Sequence, residues 1–290
     1  MRILKRKGYY YLQHSFRKEG KVITREIYIG DRLPKDIKEI KERFLQKYVK
    51  SILNKQFEQI KVNFQQDWNK IPESVKAKEL QEVAIAFTYN TNAIEGSKIT
   101  LPETRAILQE KIAPNKSLYD IKETEAHSRV FLAMLQEESI TEQLVLHWHR
   151  EIFRETKKEI AGRYRDYRVR VGIHIPPDWQ DVPELMRKLI TSLKHNHTIN
   201  PVEFAARIHY QFEFIHPFGD GNGRIGRLLM NQILWHAGYP ILVIENKKRL
   251  AYYKALEKGE EKFTQYLFRT YLKAHKRYLK GTNSPVLWGV

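Results

Sequence analysis

Residues 204–235 constrain the fold more tightly than any other stretch. The apolar run Phe204-Ala-Ala-Arg-Ile-His-Tyr-Gln-Phe-Glu-Phe-Ile215 and the run Leu228-Leu-Met-Asn-Gln-Ile-Leu-Trp235 both carry helical spacing. Between them lies His216-Pro-Phe-Gly-Asp-Gly-Asn-Gly-Arg-Ile-Gly-Arg227. Two buried helices joined through glycines make an anion site. Gly219, Gly221 and Gly223 let the backbone turn sharply and approach a ligand without a Cβ in the way, and the unpaired N–H groups that open the second helix face the loop.

The rest of the chain fits around this pair. From Glu79 onward the pattern is mainly helical, with breaks at Gly96, at Ala113-Pro-Asn-Lys-Ser, from Gly162 to Asp181 and around Gly219 to Gly223. In the third break Tyr164-Arg-Asp-Tyr-Arg-Val-Arg-Val171 alternates at period two and ends in Gly172, which predicts a short hairpin. Asp181, with Glu184 three residues later, predicts a capping box for the helix that runs to about His195. Upstream, Tyr9–Phe16 and Lys21–Ile29 predict a two-stranded hairpin around Lys18-Glu-Gly20. Ile37, Ile40, Phe44, Leu45, Tyr48, Ile52 and Leu53 predict an amphipathic helix. The expected organisation is a basic β-hairpin module over 1–35, a helical connector over 36–75, a main domain over 76–280 and a tail over 281–290.

Composition excludes several classes of function. The chain has 290 residues and no cysteine, so disulfides, thiolate metal sites and cysteine nucleophiles are ruled out. The amino-terminal charges have no apolar stretch behind them to make a signal peptide, and no run of about 18 apolar residues exists, so a cytoplasmic protein away from membranes is expected. The net charge of +17 is concentrated at both ends: residues 1–35 carry ten Lys or Arg against three acids, and residues 247–280 carry eleven against three. A nucleic acid, an anionic membrane, an acidic partner or a merely solvated surface all satisfy that charge.

The loop itself specifies chemistry. Arg224 and Arg227 lie three apart on the first turn of a helix and can grip a polyphosphate together. Asp220 supplies the hard oxygen that Mg2+ prefers. His216, with an ordinary pKa of about 6.5, is available as a neutral base for an attacking hydroxyl. The set points to phosphoryl or nucleotidyl transfer.

These residues resemble the Fic family motif, His-x-Phe-x-Asp/Glu-Gly-Asn-Gly-Arg-x-x-Arg, at every position, and the resemblance extends over roughly residues 80–275. It implies a mainly α fold, a helical bundle with a β-hairpin flap, and a protein adenylyltransferase. By that resemblance His216 deprotonates a Ser, Thr or Tyr of a target protein, Asp220 holds Mg2+, the Gly221–Gly223 amides form the anion hole, and Gly219 belongs to the nucleotide-site set. Asn222, Arg224 and Arg227 hold the ATP phosphates, and Phe218 packs the loop while belonging to the nucleotide-site set. Because both Gly221 and Gly223 are kept, the resemblance favours attack at the α-phosphate and hence AMP transfer. It also implies that the alternating stretch Arg165–Gly172, chiefly Arg168, Val169, Arg170 and Val171, clamps target backbone by strand addition, and that Tyr252 and Tyr253 lie near adenosine. Helix packing is the plainer reading of that tyrosine pair.

A second resemblance sits at Thr91-Asn-Ala-Ile-Glu95-Gly96, similar to the family's inhibitory motif Ser/Thr-x-x-x-Glu-Gly/Asn. Thr91 and Glu95 stand one helical turn apart and Gly96 suits a C′ position. A glutamate paired with Arg227 would take the group that holds the ATP γ-phosphate. In some relatives the same glutamate positions a water that removes AMP, so a de-AMPylating hydrolase is the first rival reading. The second is a nucleic-acid-binding regulator acting through the basic ends. Homodimerisation accompanies self-inhibition as an expectation. His147 and His149, two apart, point to different sides of a helix and suit no shared metal. His209 reads as a core histidine, and Asn231 as a helix contact or a neighbour of the motif.

Overall fold

Apolar residues at helical spacing recur through most of the chain, and the computed structural model turns them into helices wrapped around the loop. It describes residues 1–18, 21–195 and 199–279. The elements in order are β1 (Arg2–Arg6), β2 (Tyr9–Lys18), β3 (Lys21–Gly30), α1 (Ile37–Lys70), α2 (Glu73–Ile94), α3 (Leu101–Arg105), α4 (Leu118–Met134), α5 (Glu142–Phe153), α6 (Val182–His195), α7 (Pro201–Ile215), α8 (Asn222–His236), α9 (Arg249–Glu257), α10 (Glu260–Ala274) and α11 (Lys276–Leu279). The chain divides into two compact units, 1–55 and 56–290. The expected tail over 281–290, and Glu19 and Gly20 of the expected turn, lie outside the described residues.

The first unit holds an antiparallel sheet ordered β1-β2-β3 rather than the two-stranded hairpin expected. The additional strand pairs Ile3 with Leu12 and Leu4 with Tyr11. Lys7 and Gly8 connect it at φ 48° and 85°, the two positive values that let a two-residue turn match strand twist. Charges at Arg2, Lys5 and Arg6 leave only two apolar residues in β1, too few for periodicity to register.

The core of the second unit gathers Phe87, Phe131, Trp148, Phe153, Phe212, Phe218 and Leu228, each at most 1% exposed. Helices α7 and α8, the pair predicted around the loop, supply its centre. Among the described residues no helix is long and apolar enough to cross a membrane. Two local expectations are corrected. The helix cap lies one turn earlier than Asp181: the Asp178 side chain accepts from Gln180 N–H, and Asp181 falls inside a short 3-10 turn. Glu184 instead pairs with Arg187. The segment 164–172 forms no regular hairpin ladder; one bridge, Val171 with His174, closes a tight turn. Side-chain anchors hold it in place of a ladder, because Arg168 binds Asp178 at 3.0 Å, Arg170 donates to Gly172 O at 3.0 Å, and the His174 Nε2 ring atom lies 3.0 Å from Phe214 O on α7.

Candidate functional site

Helix α7 ends because His216 turns left-handed, at φ 50° and ψ 60°, a conformation that costs a non-glycine residue about 1 kcal/mol and persists only where neighbours enforce it. Arg165, 4% exposed, is the enforcer. Its Nε donates to His216 O at 2.9 Å, its other guanidinium nitrogens to Tyr167 O and Pro177 O, and its backbone N–H to Pro217 O. Asn222 closes the loop from the other side: its amide donates to Phe218 O and accepts from Phe218 N–H, both at 2.9 Å. The Asn222 side chain is therefore engaged by the loop backbone, and its own N–H precedes the α8 ladder. Phe218, expected within the nucleotide set, is fully buried beneath the loop and stacks on His149 at 3.8 Å, so it supports the loop from the core side.

His149 ties that platform to the turn. Gly162 N–H can only donate, so His149 Nδ1 accepts from it at 2.9 Å and the Nε2 proton goes to Asp220 O at 3.0 Å. Burial pushes this imidazole down to about 4, which keeps it in the neutral form that the two bonds require. Gly221 sits at φ 80°, and a Cβ there would come within 2.4 Å of Phe153. The α8 ladder begins with Ile225 N–H to Gly221 O, so the N–H groups of Asn222, Gly223 and Arg224 precede it.

Charges surround this helix start. Lys157 Nζ lies 2.6 Å from Asp220 Oδ2 and 3.2 Å from Glu123. Arg224 pairs with Glu123 and stacks over Phe153 at 4.4 Å. Burial works to raise the Asp220 carboxyl, but the Arg224 charge and the Lys157 bond outweigh it and hold it below its ordinary range. These groups, with Glu95, Gly96 and Asp120, line a polar cavity of about 210 Å³. Lys157 and Glu123 were not anticipated. They stand 63 and 101 residues from their partners in the loop, and nothing local marks them.

Arg227, 1% exposed, donates to Glu95 Oε1 at 2.6 Å, to Thr91 O at 3.3 Å and to Tyr252 OH at 3.3 Å. Glu95 follows the last turn of α2, and Gly96 at φ 101° ends it as a C′ residue. The Thr91 side chain is buried; its carbonyl makes the contact. Tyr252 is fully buried, with its hydroxyl 2.8 Å from His209 Nε2, a core-packing position. Tyr253 is only half-buried. It borders a cavity of about 570 Å³ with His174, Glu213, Phe214 and Leu256. His209 is a buried core histidine, and Asn231 binds Arg227 O and Leu242 O, which makes it a structural contact.

Glu213 Oε2 stands 3.9 Å from His216 Nδ1. Burial, reinforced by the charge of Glu95 and opposed by Arg227, pushes Glu213 up to about 7. The signal for it was present, a lone acid in the apolar run of α7. Burial also pushes His216 down to about 4.

The Fic/DOC family model matches residues 139–234. A protein adenylyltransferase Fic of Nematostella vectensis is 39% identical over 188 residues, 62% of this chain and 44% of that protein. One of Drosophila melanogaster is 36% identical over 193 residues, 62% of this chain and 38% of that protein. The chain thus aligns with less than half the length of the curated relatives it matches. A Fic-domain-containing signaling protein of Bacteroides thetaiotaomicron superposes with TM-score 0.70 at 25% identity, covering 78% of this chain and 96% of that one. Fic-1 of C. elegans superposes with TM-score 0.71 at 25% identity, covering 86% and 78%.

Proposed function

We propose, from the match of the Fic/DOC family model to residues 139–234, that this chain transfers AMP from Mg-ATP to a hydroxyl side chain of a target protein. The observation that carries this reading is one short segment that holds the His216 imidazole, 17% exposed and kept neutral by its depressed pKa, at one end and Asp220, Arg224 and the N–H groups preceding the α8 ladder at the other. His216 takes the hydroxyl proton, the hydroxyl oxygen bonds to the α-phosphorus, and the bond from that phosphorus to the bridging oxygen breaks to release pyrophosphate. The amides of residues 222–224, with Arg224 and Arg227, receive the phosphates, and the 570 Å³ cavity beside Tyr253 receives the nucleoside. The turn at Val171–His174, with Arg168, Val169 and Arg170 leading into it, presents an exposed edge to target backbone, and Ile173 and Ile175, 75% and 76% exposed, add apolar contacts. The test is intact-mass detection of AMP on the protein itself or on a target after incubation with Mg-ATP. The reading is sunk if no variant ever gains that mass.

The Asp220 carboxylate fits Mg2+: it is a hard oxygen donor, held ionised, and it already binds a cation, the Lys157 ammonium. Bound there, the metal would neutralise charge on the polyphosphate. Since Lys157 competes for the same oxygen, Lys157→Ala is expected to tighten Mn2+ binding about two- to fivefold, the worth of a partly exposed ion pair. Electron paramagnetic resonance of free Mn2+ without nucleotide reads this directly; equal or weaker binding would contradict it.

Glu95 on Arg227 keeps the resting activity low in this reading. Because Glu95 also lines the polar cavity with Asp220 and Arg224, its carboxylate can face a water there, and removal of AMP from a modified protein is the second reading. Loss of that hydrolysis in Glu95→Gly would support it. The partner is a protein substrate in the cytoplasm, and a homodimer and a nucleic acid are regulatory partners within the proposal.

The His216 shift has a kinetic consequence. A base depressed to about 4 stays neutral far below its ordinary pKa, so activity should persist as pH falls through 6.5 and fail only near 4. Initial rates measured from about pH 8 downward check it. Glu213 titrates near 7, so a smaller step there should vanish in Glu213→Gln.

A further inference from the structure

The three-stranded sheet has one face that the proposed reaction does not use. Leu12, fully buried, and half-buried Ile3 and Ile27 share one side. Alternation sends Arg2, Leu4 and Arg6, Tyr9, Tyr11, Gln13 and Ser15, and Thr24, Glu26 and Tyr28 to the other. There three tyrosines meet across the strands. Tyr28 contacts Tyr9 at 5.9 Å and Tyr11 at 5.7 Å between ring centroids, both edge-on. Tyr9 and Tyr28 are 47% and 58% exposed, an unusual outlay of aromatic surface in a small sheet.

Cations flank the rings. The Arg6 guanidinium lies 5.9 Å from the Tyr11 ring centroid. Glu26 on the same face is neutralised by Arg6 at 3.1 Å and bonded by Gln13 at 3.0 Å, while Arg2 is held by Gln13. With ten Lys or Arg against three acids in residues 1–35, the surroundings attract a polyanion.

We infer that the Tyr9–Tyr11–Tyr28 face is a stacking platform for single-stranded nucleic acid, independent of the adenylyltransferase reading. Aromatic rings on an open antiparallel sheet stack on unpaired bases, whose faces a duplex hides, and the arginines take the phosphates. In an acidic peptide the Asp and Glu side chains that supply the charge carry no ring, whereas every nucleotide joins a charge to a stacking face, which is why nucleic acid is the occupant.

Fluorescence anisotropy of the full chain with a labelled oligo-dT or oligo-U of about a dozen nucleotides tests it. Tyr9→Ala/Tyr28→Ala should weaken binding about tenfold or more, and Tyr9→Phe/Tyr28→Phe should keep it within about twofold, because stacking needs the ring and not the hydroxyl. Arg2→Ala/Arg6→Ala should flatten the dependence of log affinity on log salt by about 1.4, two phosphate contacts on a single strand. Comparing the dT and U arms separates DNA from RNA. Equal binding by the alanine double variant, equal binding of a blunt duplex, or no binding at low salt would each overturn the inference. Circular dichroism of the variants confirms folding, and their AMP labelling reads the other unit separately.

Discussion

Glu95→Gly is expected to raise AMP transfer about 10- to 150-fold over wild type. Arg227 is buried and its bond to Glu95 Oε1 is 2.6 Å, a charge-assisted pair that a triphosphate must displace before it binds productively. A hydrogen bond to a charged group contributes about 1.5–3 kcal/mol, which converts to that range of rate when the displacement no longer has to occur. Two geometric details make the substitution a clean one. Glu95 has φ −82°, ordinary backbone for any residue, so glycine relieves no strain. A Cβ on Gly223 would come within 2.1 Å of Glu95 Oε1, so the carboxylate sits directly over the helix start where phosphate amides are offered, and removing it opens that space as well as freeing Arg227. Tyr252 still contacts Arg227, which keeps the guanidinium oriented for a phosphate. Intact-mass labelling with Mg-ATP at equal protein concentrations is the measurement. Equal labelling of the two proteins would remove Glu95 as the brake and leave its contact with Arg227 purely structural.

What sequence alone could foresee depended on how far apart the cooperating residues stand. From His216 to Arg227 the chemistry is contiguous, and spacing on one turn and one helix suffices to place it. The Glu95–Arg227 pair spans 132 residues, yet it was foreseen, because Thr91-x-x-x-Glu95-Gly96 resembles the family's inhibitory motif; its local geometry alone marks only the end of a helix. Lys157 and Glu123 have none: each is one charge among many on a basic, helical chain, and only tertiary packing selects them for Asp220 and Arg224. Tyr252 shows the same limit in reverse. Two adjacent tyrosines on a helix look alike in sequence, but α9 turns Tyr252 into the core against His209 and leaves Tyr253 at the cavity. Asn222 was misplaced because an amide can serve phosphate or backbone equally well, and the tight turn at Phe218 claims it. The strand β1 and the capped start near Asp178 escaped for want of length, each being a few residues whose polar neighbours mask the pattern. The flap reads as alternating, but alternation predicts extended backbone and not a partner strand, and only one bridge forms.

His216→Ala in the Glu95→Gly background is expected to lower labelling by about 10²- to 10⁴-fold, the usual contribution of a positioned general base. The background matters, since wild-type activity held down by Glu95 would leave little to lose. The fall should come from chemistry and not from nucleotide binding. His216 O, not its ring, carries the contact with Arg165, and Asn222 ties Phe218 from the other side, so an alanine keeps the loop bonds that shape the phosphate site. Nucleotide affinity, measured by calorimetry, should accordingly change little while turnover collapses. A different base, Glu213, stands 3.9 Å from the His216 ring and is pushed up to about 7, so it is the group best placed to take over. Residual labelling that rises with pH through 7 in the alanine variant, and disappears on Glu213→Gln, would show that substitution at work. Full labelling without any such dependence would mean that the hydroxyl proton leaves directly to water, and His216 would then have to be read as a structural residue that ends α7.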